Sequence, residues 1–315
     1  MADNPTEIAK TEFELAPKVR EALGLEKSGQ KRRFGRHEVR QPKVQMAQLV
    51  LSEGTRRAIN LALVHARHEK TLTQKWGLGE MIPYGRNVTL LFSGPPGTGK
   101  TASAEALAHE LGRPILVANY AEIQGQYVGE TEKNVVRVFN EARSNNAVLL
   151  WDEADAMFGD RDAARYNWEV RDVNVLLQEL ERFEGVCVLA TNRKITLDKA
   201  LERRITLKVE FKRPDEAMRR QIWQKLLPKS LPLGEDVNLD ELSKSDFSGG
   251  EIKNVVLNAA RLALQSREKG PVRMEDFLRA TEMEVQGKWN DEGREPVGFA
   301  HSRPVSRSTS FKAMA

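Results

Sequence analysis

The chemistry of this chain begins at Gly94-Pro95-Pro96-Gly97-Thr98-Gly99-Lys100-Thr101, which fits the phosphate-loop pattern without exception. Its glycines let successive backbone N–H groups turn inward around phosphate oxygens. A helix starting there adds the positive end of its dipole. Lys100 would pair with the β- and γ-phosphates of ATP, and the Thr101 hydroxyl would ligate Mg²⁺. The context suits that chemistry. Val88-Thr89-Leu90-Leu91-Phe92 ahead of the loop is an apolar run short enough for a central parallel strand. A helix over Ala102 to Leu111 follows, stopped by Gly112 and Pro114. A glycine-rich turn without a nucleotide is the plainer reading, and the matched context counts against it.

A second acidic element is Val148-Leu149-Leu150-Trp151-Asp152-Glu153. A buried strand would deliver two adjacent acids to its carboxyl edge, where ligands of open α/β sheets bind. Asp152 would hold Mg²⁺ through water, and Glu153 would polarise the attacking water. A solvated turn is the alternative for the pair taken alone. A third strand, Val186 to Ala190, ends in Thr191-Asn192. Asn192 at that edge suits a group that positions water and senses the γ-phosphate, and on spacing alone it suits a turn equally well.

These motifs need a frame, and the rest of the chain supplies its pattern. Strand and helix alternate from residue 88: strand Ile115 to Val117, a helix through Val135 and Phe139, strand Val148 to Trp151, a helix over Val173 to Leu180, then strand Val186 to Ala190. Such alternation predicts an α/β fold with a doubly wound parallel sheet. A helix near Ser52 precedes it, with Ile59, Leu61, Leu63 and Val64 on one apolar face, ending before Trp76. From Asp215 the strand signal fades, and helical patterns at 216–227, 239–242, 250–265 and 274–285 predict a small all-helical C-terminal lid domain. The division is then a basic tail over 1–45, a nucleotide-binding domain over 46–213, the lid over 214–287 and a Ser/Arg-rich tail over 288–315, disordered by composition.

Composition narrows the classes. The 315 residues are 40% hydrophobic and 30% charged, as in ordinary globular proteins. The longest apolar runs are too short to span a bilayer, and the N-terminus lacks the layout of a secretory signal. A cytoplasmic location and no membrane partner are the expectation. The single cysteine, Cys187, excludes an internal disulfide and a cysteine-ligated zinc site, and it reads as an inert core thiol. A net charge of +4 makes a nucleic-acid partner a weak reading, carried by the basic tails alone.

Taken together, these residues resemble the AAA family proper within the AAA+ ATPases, over about Leu49 to Glu284. Gly94–Thr101 and Asp152-Glu153 match its Walker A and Walker B motifs. Ala190-Thr191-Asn192 resembles sensor 1, and Leu197 to Arg204 is similar to the segment that carries arginine fingers. Phe247-Ser248-Gly249-Gly250 resembles the start of the sensor 2 helix, where members usually have Gly-Ala-Asp. Tyr127-Val128-Gly129 looks like the aromatic pore loop. The resemblance implies a P-loop sheet followed by the helical lid, with Gly94, Pro95, Pro96, Gly97, Thr98, Gly99, Lys100, Thr101, Asp152, Gly249 and Gly250 binding nucleotide. Thr101 and Asp152 then serve Mg²⁺, and Glu153, Asn192, Arg203 and Arg204 serve catalysis. It also implies a homo-oligomeric ring, most often a hexamer, in which Arg204 and Arg203 reach the neighbour's ATP.

The sequence departs from the family at Leu207, where members often carry a second finger three residues after the first, so a pair of fingers here must use Arg203. The first turn of the sensor 2 helix has no arginine, unlike clamp loaders and initiators. Trp76-Gly77, Leu176-Leu177-Gln178 and Ile222-Trp223 are similar to a bacterial subgroup that includes the ATPases of extracellular contractile injection systems. The leading reading is a motor that threads, unfolds or disassembles a protein client through a central pore lined by Tyr127, Val128 and Gly129. A nucleic-acid motor or loader and a nucleotide-dependent scaffold are the alternatives. The intact Glu153 argues against the scaffold. Without the resemblance, Arg203 and Arg204 read as a solvated basic pair, and Tyr127 could be a half-buried core residue.

Overall fold

The computed structural model describes residues 38–81, 87–119, 123–125, 129–154, 167–192, 199–267 and 270–287. Strand β1 (Glu38–Arg40) leads into helix α1 (Glu53–Lys70) and a short α2 (Leu78–Met81). Then β2 (Val88–Ser93), α3 (Lys100–Glu110), β3 (Ile115–Asn119), α4 (Glu130–Ser144), β4 (Val148–Asp152), α5 (Asn167–Arg182) and β5 (Val186–Thr191) alternate as the sequence predicts. A short α6 (Lys199–Glu202) and β6 (Leu207–Glu210) close the sheet. Helices α7 (Glu216–Leu226), α8 (Leu239–Leu242), α9 (Gly249–Ser266) and α10 (Met274–Gln286) form the lid.

The sheet order is β1-β3-β4-β5-β2-β6. All neighbours are parallel except β1, which runs antiparallel to β3. Because side chains alternate across a strand, each central strand feeds two cores. On one face Leu116, Leu149, Trp151, Cys187 and Leu189 pack with Val135, Val138, Phe139, Leu176 and Leu180 of α4 and α5. On the other, Leu90, Phe92, Ile115, Leu150 and Val188 pack with Ile59, Leu63, Ala104 and Leu107 of α1 and α3. Cys187 is fully buried, and burial pushes its thiol pKa up, as an inert core thiol requires. The lid has its own core, in which Trp223 of α7 meets Phe277 of α10 edge-on at 5.9 Å. Capping sets where its helices start: Asp215 accepts from Met218 N–H, and Ser248 and Glu251 form a reciprocal capping box on α9.

The structure differs from the sequence reading in three places. Leu61 and Val64 are 56% and 53% exposed, because the buried stripe of α1 runs through Ile59, Ala62 and Leu63 instead. Both edge strands, β1 and β6, escape the pattern: three residues carry no periodicity, and Leu207-Lys208-Val209-Glu210 buries only Val209 among its four. Residues 38–45, expected as tail, therefore belong to the α/β unit.

One ion pair fixes that N-terminal strap. Glu105 of α3 is buried, and Arg40 of β1 donates to both its carboxylate oxygens at 2.8 Å. Lys43 N–H donates to the same carboxylate at 2.7 Å. The Arg40 guanidinium, aided by this N–H against the cost of burial, holds the Glu105 pKa below its ordinary 4.5. A depressed carboxylate pKa contributes stability that is full above the unfolded value and is lost as pH falls through the folded one. Glu105→Gln is therefore expected to lower the melting temperature at neutral pH. Its gap to the wild type should close as pH falls below 4.5. A gap that persists unchanged in acid would show that the carboxylate charge is not what matters.

Candidate nucleotide site

The parallel register brings the predicted residues to one edge of the sheet. Ser93, the last residue of β2 before the phosphate loop, pairs with Thr191 of β5, and Asn119 of β3 pairs with Asp152 of β4. Gly94–Thr101, Asp152, Glu153 and Asn192 thus all lie at or just beyond the carboxyl ends of neighbouring strands, the place where open α/β sheets take ligands.

The loop itself is built from close backbone approaches. Gly94 has φ +147, and a Cβ there would stand 2.0 Å from the Phe211 carbonyl oxygen. Gly97 has φ +73, and a Cβ there would stand 2.4 Å from Ser248 Oγ. Only glycine satisfies both demands. Thr98 Oγ1 closes the turn on the Pro95 carbonyl at 2.8 Å. Lys100, only 6% exposed, donates its ammonium to the Gly94 and Pro95 carbonyls, each at 2.8 Å. A triphosphate would offer the same ammonium stronger, charged acceptors.

Thr101 Oγ1 donates to Asp152 Oδ2 at 2.9 Å, so a hydroxyl and a carboxylate converge from α3 and β4. Two hard oxygen ligands beside a phosphate cradle fit Mg²⁺, which takes few protein ligands and completes its shell with phosphate and water. Glu153 follows with φ +53, a conformation that costs an L-residue about 1–2 kcal/mol. This turn directs Glu153 away from Asp152, and its backbone N–H is held on Asp152 Oδ1 at 3.0 Å. Asn119 Nδ2 donates to Glu153 Oε2 at 2.8 Å. Sequence reading missed Asn119, although its signal is the one that singled out Asn192: a polar amide closing an apolar strand.

The remaining candidates separate. Asn192 lies exposed one residue past β5. Gly249 and Gly250 open α9, and Gly250 N–H donates to the Gly97 carbonyl at 2.9 Å, so the lid touches the phosphate loop directly. Lys225 of α7 also reaches the Ala47 carbonyl. Arg203 is exposed, whereas Arg204 pairs with Glu181 of α5 at 2.6 Å. Gly129 caps α4 at φ +85. Tyr127 and Val128 lie outside the described residues.

Comparison with known proteins agrees with this geometry. The profile of the ATPase family associated with various cellular activities (AAA) matches residues 90–213. The chain carries an AAA ATPase domain. The 26S proteasome regulatory subunit 4 homolog of Schizosaccharomyces pombe is 36% identical over 217 residues, 65% of this chain and 48% of that protein. The vesicle-fusing ATPase of Arabidopsis thaliana is 36% identical over 227 residues, 61% of this chain and 30% of that protein. The ATP-dependent zinc metalloprotease FtsH of Syntrophus aciditrophicus is 36% identical over 222 residues, 67% and 29% respectively. The chain spans about half or less of the length of these relatives. None of the three names points to a contractile injection system. Among the described residues no helix is long and apolar enough to cross a membrane.

The contact between loop and lid yields a test. Gly97→Ala introduces left-handed strain of about 1–2 kcal/mol and drives a methyl group into Ser248. It should lower the melting temperature by several degrees and weaken nucleotide binding. Adding Ser248→Gly should recover part of the loss, since it removes the clash and leaves the strain. Calorimetry and nucleotide titration of both variants check this; a tolerated Gly97→Ala would mean that the lid does not rest on the loop.

Proposed function

We propose that the chain is an ATP-hydrolysing motor that assembles as a homo-oligomeric ring, a hexamer, in the cytoplasm and remodels a protein client. The observation that carries the reading is the convergence of Lys100, Thr101, Asp152 and Glu153 at one sheet edge, with the lid's Gly250 bonded to the loop. A hydrolytic site needs a phosphate cradle, a cation site and a base at a shared edge, and these residues would provide the three parts.

The roles follow from the chemistry of each group. The backbone N–H groups of Gly97–Thr101 would hold the phosphates, and Lys100 would exchange the Gly94 and Pro95 carbonyls for phosphate oxygens. Thr101 and Asp152 would hold Mg²⁺, which when bound neutralises charge on the β- and γ-phosphates. Glu153 would accept a proton from the attacking water. Asn119, bonded to Glu153, would fix the carboxylate until it engages that water. Asn192, one residue beyond β5, would orient the water from the other side. Arg203 and Arg204 would act on the ATP of a neighbouring subunit.

A protein client is supported by the kinship: a proteasome regulatory subunit and a metalloprotease act within protein turnover by name. The loop Tyr127-Val128-Gly129, just before α4, suits the grip. An aromatic ring holds an extended chain by apolar contact that ignores sequence, and glycine frees the loop to move.

Two variants separate binding from hydrolysis. Lys100→Ala removes the loop's own full positive charge and should abolish most ATP binding. Glu153→Gln keeps the shape but removes the base, so ATP should bind and persist while turnover falls at least a hundredfold, within the usual range for loss of a general base. Undiminished affinity in the first or undiminished turnover in the second, by nucleotide titration and phosphate release, would refute the corresponding role.

Tyr127→Ala tests the threading. It should leave melting temperature, assembly and most basal ATPase activity intact while remodelling of an unfolded-tagged protein is lost. A core tyrosine would instead leave a cavity costing about 3–5 kcal/mol, by analogy with other large aromatics, and would lower stability and all activities together.

A further inference from the structure

The N-terminal strap joins two parts of the molecule that are far apart in sequence. At one end the Glu105 carboxylate of α3 is pinched between the Arg40 guanidinium, at 2.8 Å to each oxygen, and the Lys43 N–H, at 2.7 Å. At the other end Lys225 of α7 donates to the Ala47 carbonyl. The chain between Lys43 and Ala47 is stiff. Gln48 accepts from the Gln45 N–H at 2.8 Å and closes the 3₁₀ turn Met46–Gln48. Met46 is buried, and the turn packs on α3. Lys225 in turn is fixed to the lid, since it follows Trp223, which is fully buried in the lid core.

The strap therefore runs from the helix that begins with Lys100 to the first helix of the lid. It is a second tie beside the bond from Gly250 N–H to the Gly97 carbonyl, and it is made by a different stretch of chain. The two ties differ in cost. Gly250 meets the loop through backbone, whereas Lys225 and Ala47 are both exposed, and an exposed hydrogen bond opens cheaply. A lid held down keeps α9 on the phosphate loop and slows the escape of whatever the loop holds. We propose that the strap is a latch that retains nucleotide, with Glu105, Arg40, Lys43, Ala47 and Lys225 acting in series to hold the lid against α3. This rests on the nucleotide site proposed above and adds control over how long that site stays filled. The five are positioning residues: Glu105 lies farther along the helix from Lys100, and Lys225 is on the lid.

Links in series behave differently from separate stabilising contacts. Opening either end frees the same lid, so opening both frees it no further. The probe is fluorescent ADP, with its dissociation followed in stopped flow. Lys225→Met and Glu105→Gln should each speed ADP release by about fivefold or more, the lower part of the range for coupled sites. The double variant should release ADP no faster than the faster single one. ATP turnover at saturation should stay within about twofold of wild type while KM rises, as expected when binding is lost and chemistry is kept. Lys225→Met should keep the wild-type melting temperature, because the side chain is exposed, and Lys225→Arg, which keeps the donor, should restore slow release. Arg40→Gln opens the same end from the strap side and serves where Glu105→Gln melts below the assay temperature. Wild-type release rates in Lys225→Met would overturn the latch, and so would effects that multiply in the double variant. Failure of the wild type itself to bind ADP would overturn the nucleotide site, and the latch with it.

Discussion

Two other chain segments approach the phosphate loop so closely that a methyl group has no room without movement. The Phe211 carbonyl faces Gly94, Ser248 faces Gly97, and a Cβ on Gly250 would stand 3.0 Å from the Gly97 Cα. Phe211 follows β6 and leads into the lid, and Ser248 and Gly250 begin its longest helix. The glycine-rich loop is thus clasped by the hinge and the lid at once. Interiors this close-packed transmit strain instead of absorbing it. A change in the loop on nucleotide binding or release therefore has a direct mechanical route into the lid, and the Gly250 N–H to Gly97 carbonyl bond makes part of that route backbone.

The charges around this clasp support it. Arg213, in the hinge, lies 3.3 Å from Asp246 and 3.5 Å from Glu251, the acid of the α9 capping box. Arg219 of α7 is buried and donates to the Ser243 and Pro214 carbonyls while also reaching Asp246. Exposed pairs of this kind are worth little singly. Their contribution is orientation: they hold the start of α9 over the phosphate loop. On the far side of α3, Arg40 and Glu105 bind the N-terminal strap to the helix that begins with Lys100. The helix that begins with Lys100 is therefore braced from both directions.

Much of this was legible in the sequence. The loop, the two acids after β4 and the alternation of strands with helices are local patterns, since apolar runs bounded by glycine or acids mark central strands wherever they fall. The helical lid was visible for the same reason. What stayed hidden depends on partners far away in sequence. Strand β1 exists because Arg40 finds Glu105 and Glu38–Arg40 find an open edge of β3, which three residues cannot announce. Asn119 gains its meaning from Glu153, 34 positions on, and Glu181 from Arg204. The adjacent arginines look alike in sequence, and only the surroundings of their side chains tell them apart.

In the proposed ring, ATP hydrolysis is completed by a second copy of the chain. Turnover per subunit, measured against total subunit concentration with saturating ATP and beside sedimentation of the same samples, tests it most directly. A steep rise in turnover is expected to follow the appearance of rings, with little activity where the chain sediments as a monomer. Constant turnover per subunit down into the monomer range would contradict it.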